Sequence, residues 1–164
     1  CALPIWVNVH IVAPEALQPA AEIQALAAEK AQVSGAQLLI TDDIATGVAG
    51  VDVLYTDVWA SMGEEASFAT RIELLAPYQI NQTLVDLTGN DQVIVLHDLP
   101  AFHDLETTMA QKIYAEFGLT EMEITDEVFH APYARQFDQA ENRLHTIKAM
   151  MAATLGHLFL PEPK

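Results

Sequence analysis

Short runs of aliphatic and β-branched residues recur along this chain, each closed by a polar or Gly/Pro-containing turn and followed by a stretch with helical spacing. The strand-length runs are Ile5 to Val12, Ala36 to Ile40, Val51 to Tyr55, Val93 to Leu96 and the weaker Met122 to Thr125. None alternates cleanly between apolar and polar residues. Continuous apolar runs of this length suit strands covered on both faces, the habit of a parallel sheet with crossover helices. Helices are expected between them: Ala20 to Gln32 behind Pro19, Glu64 to Leu75 with an acidic first turn, Asn81 to Leu87, and Glu106 to Phe117 stopped by Gly118. The segment from Gln136 to about Leu158 carries Phe137, Ala140, Leu144, Ile147, Met151 and Leu155 at spacings of three and four, which predicts an amphipathic terminal helix. The expected fold is therefore a single α/β domain with an open, mainly parallel sheet of about five strands and helices on both faces, a Rossmann-like arrangement.

Composition removes several function classes. The 23 Asp and Glu against 7 Lys and Arg, for a net charge of −16, argue against nucleic acid, because phosphate backbones are gripped by clustered cations and these seven are scattered. The apolar fraction of 51% argues against disorder, and no run approaches the eighteen or so residues that would span a bilayer. The one cysteine is Cys1, so no disulfide within the chain and no Cys-based zinc spacing can be written. The chain opens on Cys rather than Met and runs almost at once into an apolar stretch, so the expectation is that a preceding part of a larger protein is absent. Residues 1–7 are left unplaced as a start that need not be native, residues 8–158 form the domain, and 159–164 read as a loose tail.

In open α/β sheets ligands bind at the carboxyl ends of the strands, which directs attention to the residues just after each run. These are Asp42 and Asp43, Thr56 to Gly63, His97 to His103, and Asp126 with Glu127. After the third run, Tyr55-Thr56-Asp57-Val58-Trp59-Ala60-Ser61-Met62-Gly63 brings a carboxylate, a hydroxyl and a glycine out of the sheet together. A plain reading has Asp57 or Ser61 capping the following helix. After the fourth, His97-Asp98-Leu99-Pro100-Ala101-Phe102-His103-Asp104 holds two His-Asp pairs, which fit either a metal-ligand set or a solvated loop. Metal-dependent hydrolases that use a His-Asp pair carry it on helices, whereas this pair follows a β-type run and precedes Pro100, so no metal is expected. Arg143, one of three arginines, lies in the terminal helix among Glu141, Asn142 and His145 and is a candidate for holding an oxyanion or a carbonyl oxygen.

Taken together, these stretches resemble the carboxyl-terminal half of the ornithine carbamoyltransferase family, over about Asn8 to Leu155. The matching pieces are Val12-Ala13-Pro14, Tyr55 to Trp59 with Ser61-Met62-Gly63, Pro77 to Asn81, Leu99 to Asp104, Thr125 to Phe129 and Gln139 to Ala149. The Ser-Met-Gly and Glu-Asn-Arg-x-His stretches favour ornithine over aspartate as the acceptor. The resemblance implies that an amino-terminal half binds carbamoyl phosphate, that this half binds ornithine, and that the site closes between them in a cytoplasmic homotrimer without any cofactor. The phosphate-gripping Ser-x-Arg-Thr-Arg stretch of the family is not found here, so this chain alone is expected to be inactive. By the same resemblance Asp57 accepts the α-ammonium of ornithine, Ser61 and the Met62 backbone hold its amino-acid end, the Leu99 carbonyl meets the carbamoyl amino group, and Arg143 meets the carbonyl oxygen.

One position departs from the family pattern. Where the family has a cysteine between that His and Leu, this sequence has Asp98. At about 4 Å and an effective dielectric near 20, a second carboxylate interacts with an amine by roughly 4 kcal/mol before screening. That is enough to hold a doubly protonated ornithine tightly while disfavouring the neutral amine that attacks. Repulsion from Asp57 could instead keep Asp98 protonated and poised for proton transfer. Two other readings stay open: an acceptor such as putrescine or an acylated ornithine, and a non-catalytic amino-acid-binding derivative.

Overall fold

The computed structural model describes residues 7–60 and 68–155. In chain order these give β1 (Val9–Val12), α1 (Ala21–Ser34), β2 (Leu38–Thr41), α2 (Ile44–Val48), β3 (Val53–Thr56), α3 (Phe68–Leu75), α4 (Gln82–Leu87), β4 (Ile94–His97), α5 (Thr108–Phe117), α6 (Asp126–Phe129) and α7 (Gln136–Leu155). The α/β class is as expected, and every strand pair is parallel.

The sheet itself differs from the expectation. Four strands form among the described residues, and they make two separate two-stranded sheets, β1 with β2 and β3 with β4, instead of one open sheet of about five. The weak fifth run is reduced to a single parallel bridge between Ile124 and Ile80. The backbone of this run is divided between two loops: Met122 donates to the Phe102 carbonyl, while Ile80 donates to the Glu123 carbonyl and accepts from the Thr125 amide. No one strand is left for it to follow.

Local chemistry explains most of the boundaries. Gly35 and Gly118 take the left-handed conformation just past α1 and α5, where a side chain would be strained. Asn81 and Thr107 cap α4 and α5 with side-chain acceptors for Leu84 and Ala110. α2 was not foreseen from spacing, being one turn and a half long; Asp43 starts it by accepting from the Ala45 and Thr46 amides at 3.1 and 3.4 Å. α2 lies close on β1 because it presents Gly47, where a Cβ would collide with Val12. The start of the helix expected from Glu64 and the end of the one expected to Leu158 lie outside the described residues, as do Ile5 and Trp6 of the first run.

The core is concentrated under β3 and β4. Leu54, Val93, Val95, Ile124, Val128 and Phe129 pack with Ile80, Leu84 and Val85 of the α4 region, and a second cluster gathers Trp59, Ala60, Phe68, Ile113 and Met122. The apolar stripe of α7 is amphipathic in sequence but exposed in the structure: Phe137, Leu144, Ile147, Met151 and Leu155 all face solvent.

Candidate functional site

β3 and β4 are paired so that Thr56 lies opposite His97, and the Asp98 amide donates to the Thr56 carbonyl at 3.2 Å. The next residues out of the sheet, Asp57 and Asp98, therefore leave neighbouring strand ends side by side. Two residues back, Tyr55 shares the face of Asp57. Its hydroxyl donates to Asp98 Oδ1 at 3.0 Å and accepts from Gln139 Nε2 of α7 at 3.2 Å. Partial burial holds the Tyr55 hydroxyl above the usual phenol range; the Gln139 donor works against this, and the carboxylates of Asp98 and Asp57 reinforce it. The hydroxyl thus stays a donor to Asp98. Asp57 turns one oxygen to the Val58 amide at 2.7 Å, and Trp59 and Ala60, both buried, anchor the turn behind it.

The loop after β4 is held from beneath. His97 and Glu123 are almost wholly buried, and His97 Nε2 lies 3.1 Å from Glu123 Oε1. The Leu99 amide donates to His97 Nδ1 at 2.8 Å, so Nδ1 carries the lone pair and Nε2 carries the proton directed at Glu123. The same Glu123 oxygen accepts from the Phe102 amide at 2.7 Å. One buried carboxylate thereby fixes both ends of the turn. Within it Leu99 sits at φ 55° and is followed by a cis bond to Pro100. A left-handed conformation costs a non-glycine residue about 1–2 kcal/mol, which the His97 bond and the packing of Leu99 on the core offset.

The sequence-predicted residues are brought together unevenly. Asp57, Asp98 and Leu99 gather at the ends of β3 and β4, with both carboxylates exposed. Arg143 is exposed on α7, the helix that reaches the site through Gln139. Ser61 and Met62 lie outside the described residues. Tyr55, Gln139 and Glu123 had been given no role from sequence. A signal existed for Glu123, an acid enclosed by Met122 and Ile124 in an apolar run, since a buried carboxylate needs partners.

Neither His-Asp pair of the sequence makes its shortest contact within the pair, although His103 Nδ1 lies 3.7 Å from Asp104 Oδ2. His97 turns inward to Glu123, while His103 Nδ1 lies 2.7 Å from Asp126 Oδ1, with His130 Nδ1 at 3.1 Å from the same oxygen. His103 also stacks on Phe129 with ring centroids 3.7 Å apart. The groups of His103, Asp126 and His130 are close enough to share a metal ion. A carboxylate oxygen only accepts, so His103 Nδ1 directs its N–H at Asp126 Oδ1, while His130 Nδ1 hydrogen-bonds the Asp126 backbone carbonyl at 3.2 Å, and these bonds account for the cluster.

Comparison with known proteins bears on this geometry. Residues 2–154 match the family model for aspartate/ornithine carbamoyltransferase, Asp/Orn binding domain. The chain belongs to that family. It is 58% identical over 158 residues to the catabolic ornithine carbamoyltransferase of Latilactobacillus sakei and 60% identical to that of Streptococcus pyogenes serotype M1. In each case the match covers 96% of this chain and 47% of the relative, so the chain spans about half the length of the curated relatives it matches. Among solved structures, ornithine carbamoyltransferase from Pyrococcus furiosus superposes with a TM-score of 0.74 at 32% identity, covering 96% of this chain and 44% of that one.

Proposed function

We propose that this chain is the acceptor-binding part of an ornithine carbamoyltransferase, which moves the carbamoyl group of carbamoyl phosphate to the δ-amine of ornithine and yields citrulline and phosphate. The observation that carries the reading is the pair of carboxylates, Asp57 and Asp98, on adjacent parallel strand ends with Tyr55 between them. A small diamine is the complement of that pair. Asp57 binds the α-ammonium, and Ser61 with the Met62 backbone holds the amino-acid end. Asp98 faces the δ-amine. Its nitrogen bonds to the carbamoyl carbon, the carbon–oxygen bond to phosphate breaks, and Asp98 takes the proton that the nitrogen sheds. The Leu99 carbonyl accepts from the carbamoyl amino group, and Arg143 meets the oxygen on which negative charge builds.

The amine is the nucleophile and phosphate is the leaving group, so positioning and electrostatics suffice and no cofactor or metal is required. Carbamoyl phosphate is gripped by an amino-terminal half, and the longer protein works as a cytoplasmic homotrimer. The family membership and the half-length match support this division of labour.

The test is a chimaera joining residues 1–164 to the unmatched half of the Latilactobacillus sakei relative, assayed for carbamoyl transfer to ornithine and to putrescine. Citrulline formation by the chimaera, with none by residues 1–164 alone, is expected. A second reading rests on Asp98, whose extra charge suits a diamine lacking a carboxylate; faster transfer to putrescine would replace ornithine by that acceptor. Ornithine binding without any transfer would reduce the chain to a binding module.

A further inference from the structure

Apart from the strand-end carboxylates, His103, Asp126 and His130 form the one group of three His, Cys, Asp or Glu side chains among the described residues whose ligand atoms all lie within 4.8 Å of one another. It is not one of the His-Asp pairs adjacent in sequence, because the fold recruits Asp126 from 23 residues beyond His103. Hydrogen bonds draw the groups together without an ion. His103 Nδ1 lies 2.7 Å from Asp126 Oδ1, and His130 Nδ1 lies 3.1 Å from the same oxygen. Asp126 and His130 stand four positions apart on the turn of α6, where the His130 amide donates to the Asp126 carbonyl at 3.1 Å. That spacing puts two side chains on one face of a helical turn, the arrangement by which a helix presents a pair of metal ligands.

The third ligand is held from the side. The His103 ring stacks on Phe129 with centroids 3.7 Å apart and meets the His130 ring edge-on at 5.3 Å. Its side chain is 14% exposed, against 53% for Asp126 and 61% for His130, so one ligand is fixed and two can adjust at the surface. The donor set selects the ion. Bonds of about 2.0–2.1 Å to a tetrahedral zinc place neighbouring ligand atoms roughly 3.3 Å apart, so these groups need to open by only about half an ångström. Two imidazoles with a carboxylate suit zinc, copper or nickel, whereas magnesium and calcium take oxygen ligands. Asp104 Oδ2 lies 3.7 Å from His103 Nδ1, while the other oxygen of Asp104 accepts from the Glu106 amide at 2.9 Å.

We propose that His103, Asp126 and His130 form a structural site for a divalent transition-metal ion of the zinc class, with Asp104 or a water molecule completing the tetrahedron. Each imidazole binds through Nδ1 and carries its one proton on Nε2. The ion replaces the hydrogen bond from His103 to Asp126 and ties the loop that follows β4 to α6. Glu123 already fixes that loop at the Phe102 amide, and the ion pins the next residue along. Its contribution is to stability, and it stands whether or not the acceptor is ornithine.

The test is a calorimetric titration of the intact 164-residue chain, stripped with EDTA, with zinc chloride, alongside its melting temperature with and without zinc. One ion bound per chain and a melting temperature raised by zinc are expected. His130→Ala removes an exposed ligand and should weaken zinc binding at least tenfold, as should His103→Ala, since even partners one step removed from a metal are worth about 10- to 100-fold. His145→Ala, at an exposed histidine of α7, should leave binding unchanged. Should His103→Ala unfold the chain by losing its stack on Phe129, His130→Ala decides alone. Absence of one-to-one binding, or binding that His130→Ala leaves intact, would overturn the proposal. So would equal weakening by His145→Ala, or magnesium binding as tightly as zinc, which would reduce the effect to the attraction of any cation to an acidic surface.

Discussion

In the half-sheet of β3 and β4, Leu54, Val95 and His97 are buried and Val95 exchanges bonds with the Tyr133–Arg135 segment on its far side; in the half-sheet of β1 and β2, no strand residue is fully buried. Both pairs are parallel, four residues long and aliphatic, so strand chemistry does not separate them. What covers them does. α4, α6 and the Ile80 and Ile124 bridge seal the first pair, while α1, which should cover the second, keeps Ile23, Leu26 and Val33 exposed. The candidate site straddles this division. Asp98 and Leu99 rise from the sealed strand over a buried His97–Glu123 bond, whereas Asp57 rises from β3, whose other edge has no strand partner among the described residues.

The largest effect is expected from cutting the support under β4. Glu123→Ala removes the acceptor of both His97 and the Phe102 amide, and breaking a buried, hydrogen-bonded partner of this kind costs about 3–5 kcal/mol. Urea unfolding should register that loss; a change below about 1 kcal/mol would show that the loop is not held from beneath. Side-chain truncation then compares the two half-sheets directly. Val95→Ala, at a residue with no exposure, should cost about 2–3 kcal/mol, and Ile11→Ala in β1 about 1 kcal/mol although its side chain is larger. The reverse order would erase the distinction.

The smallest effect is a pH dependence at α2. Hydrogen bonds from the Thr46 hydroxyl and amide hold the Asp43 carboxyl below its ordinary value. A depressed folded value means that the contribution is complete above the unfolded value near 3.9 and is lost as the pH falls through the folded one. Asp43→Asn keeps a capping acceptor but cannot titrate. The wild-type advantage in melting temperature over this variant should therefore shrink between pH 7 and pH 3, and an advantage that stays constant would remove the carboxylate from the account.

Much of this was legible in the residues. The β3 and β4 runs, the stop at Gly118 and the carboxylates at the strand ends could all be placed, because short-range chemistry decides them. The short α2 escaped, since five residues do not establish a period. Glu123 escaped for another reason: its role depends on His97, 26 residues away in sequence, and only the fold brings the two together. The break in the sheet was hidden as well. A run such as Val9 to Val12 looks the same whether one or both of its edges are paired, because pairing lies in the backbone and not in the side chains.

The central claim is that the carboxylate leaving β3 binds the amino-acid acceptor. It is tested most directly by Asp57→Asn in the chimaera, with kcat and KM measured separately for ornithine and for carbamoyl phosphate. Loss of a charge-assisted hydrogen bond is worth about 1.5–3 kcal/mol, so the account predicts that the KM for ornithine rises roughly 10- to 150-fold while that for carbamoyl phosphate is unchanged. An unchanged KM for ornithine, or an equal rise in both, would contradict it.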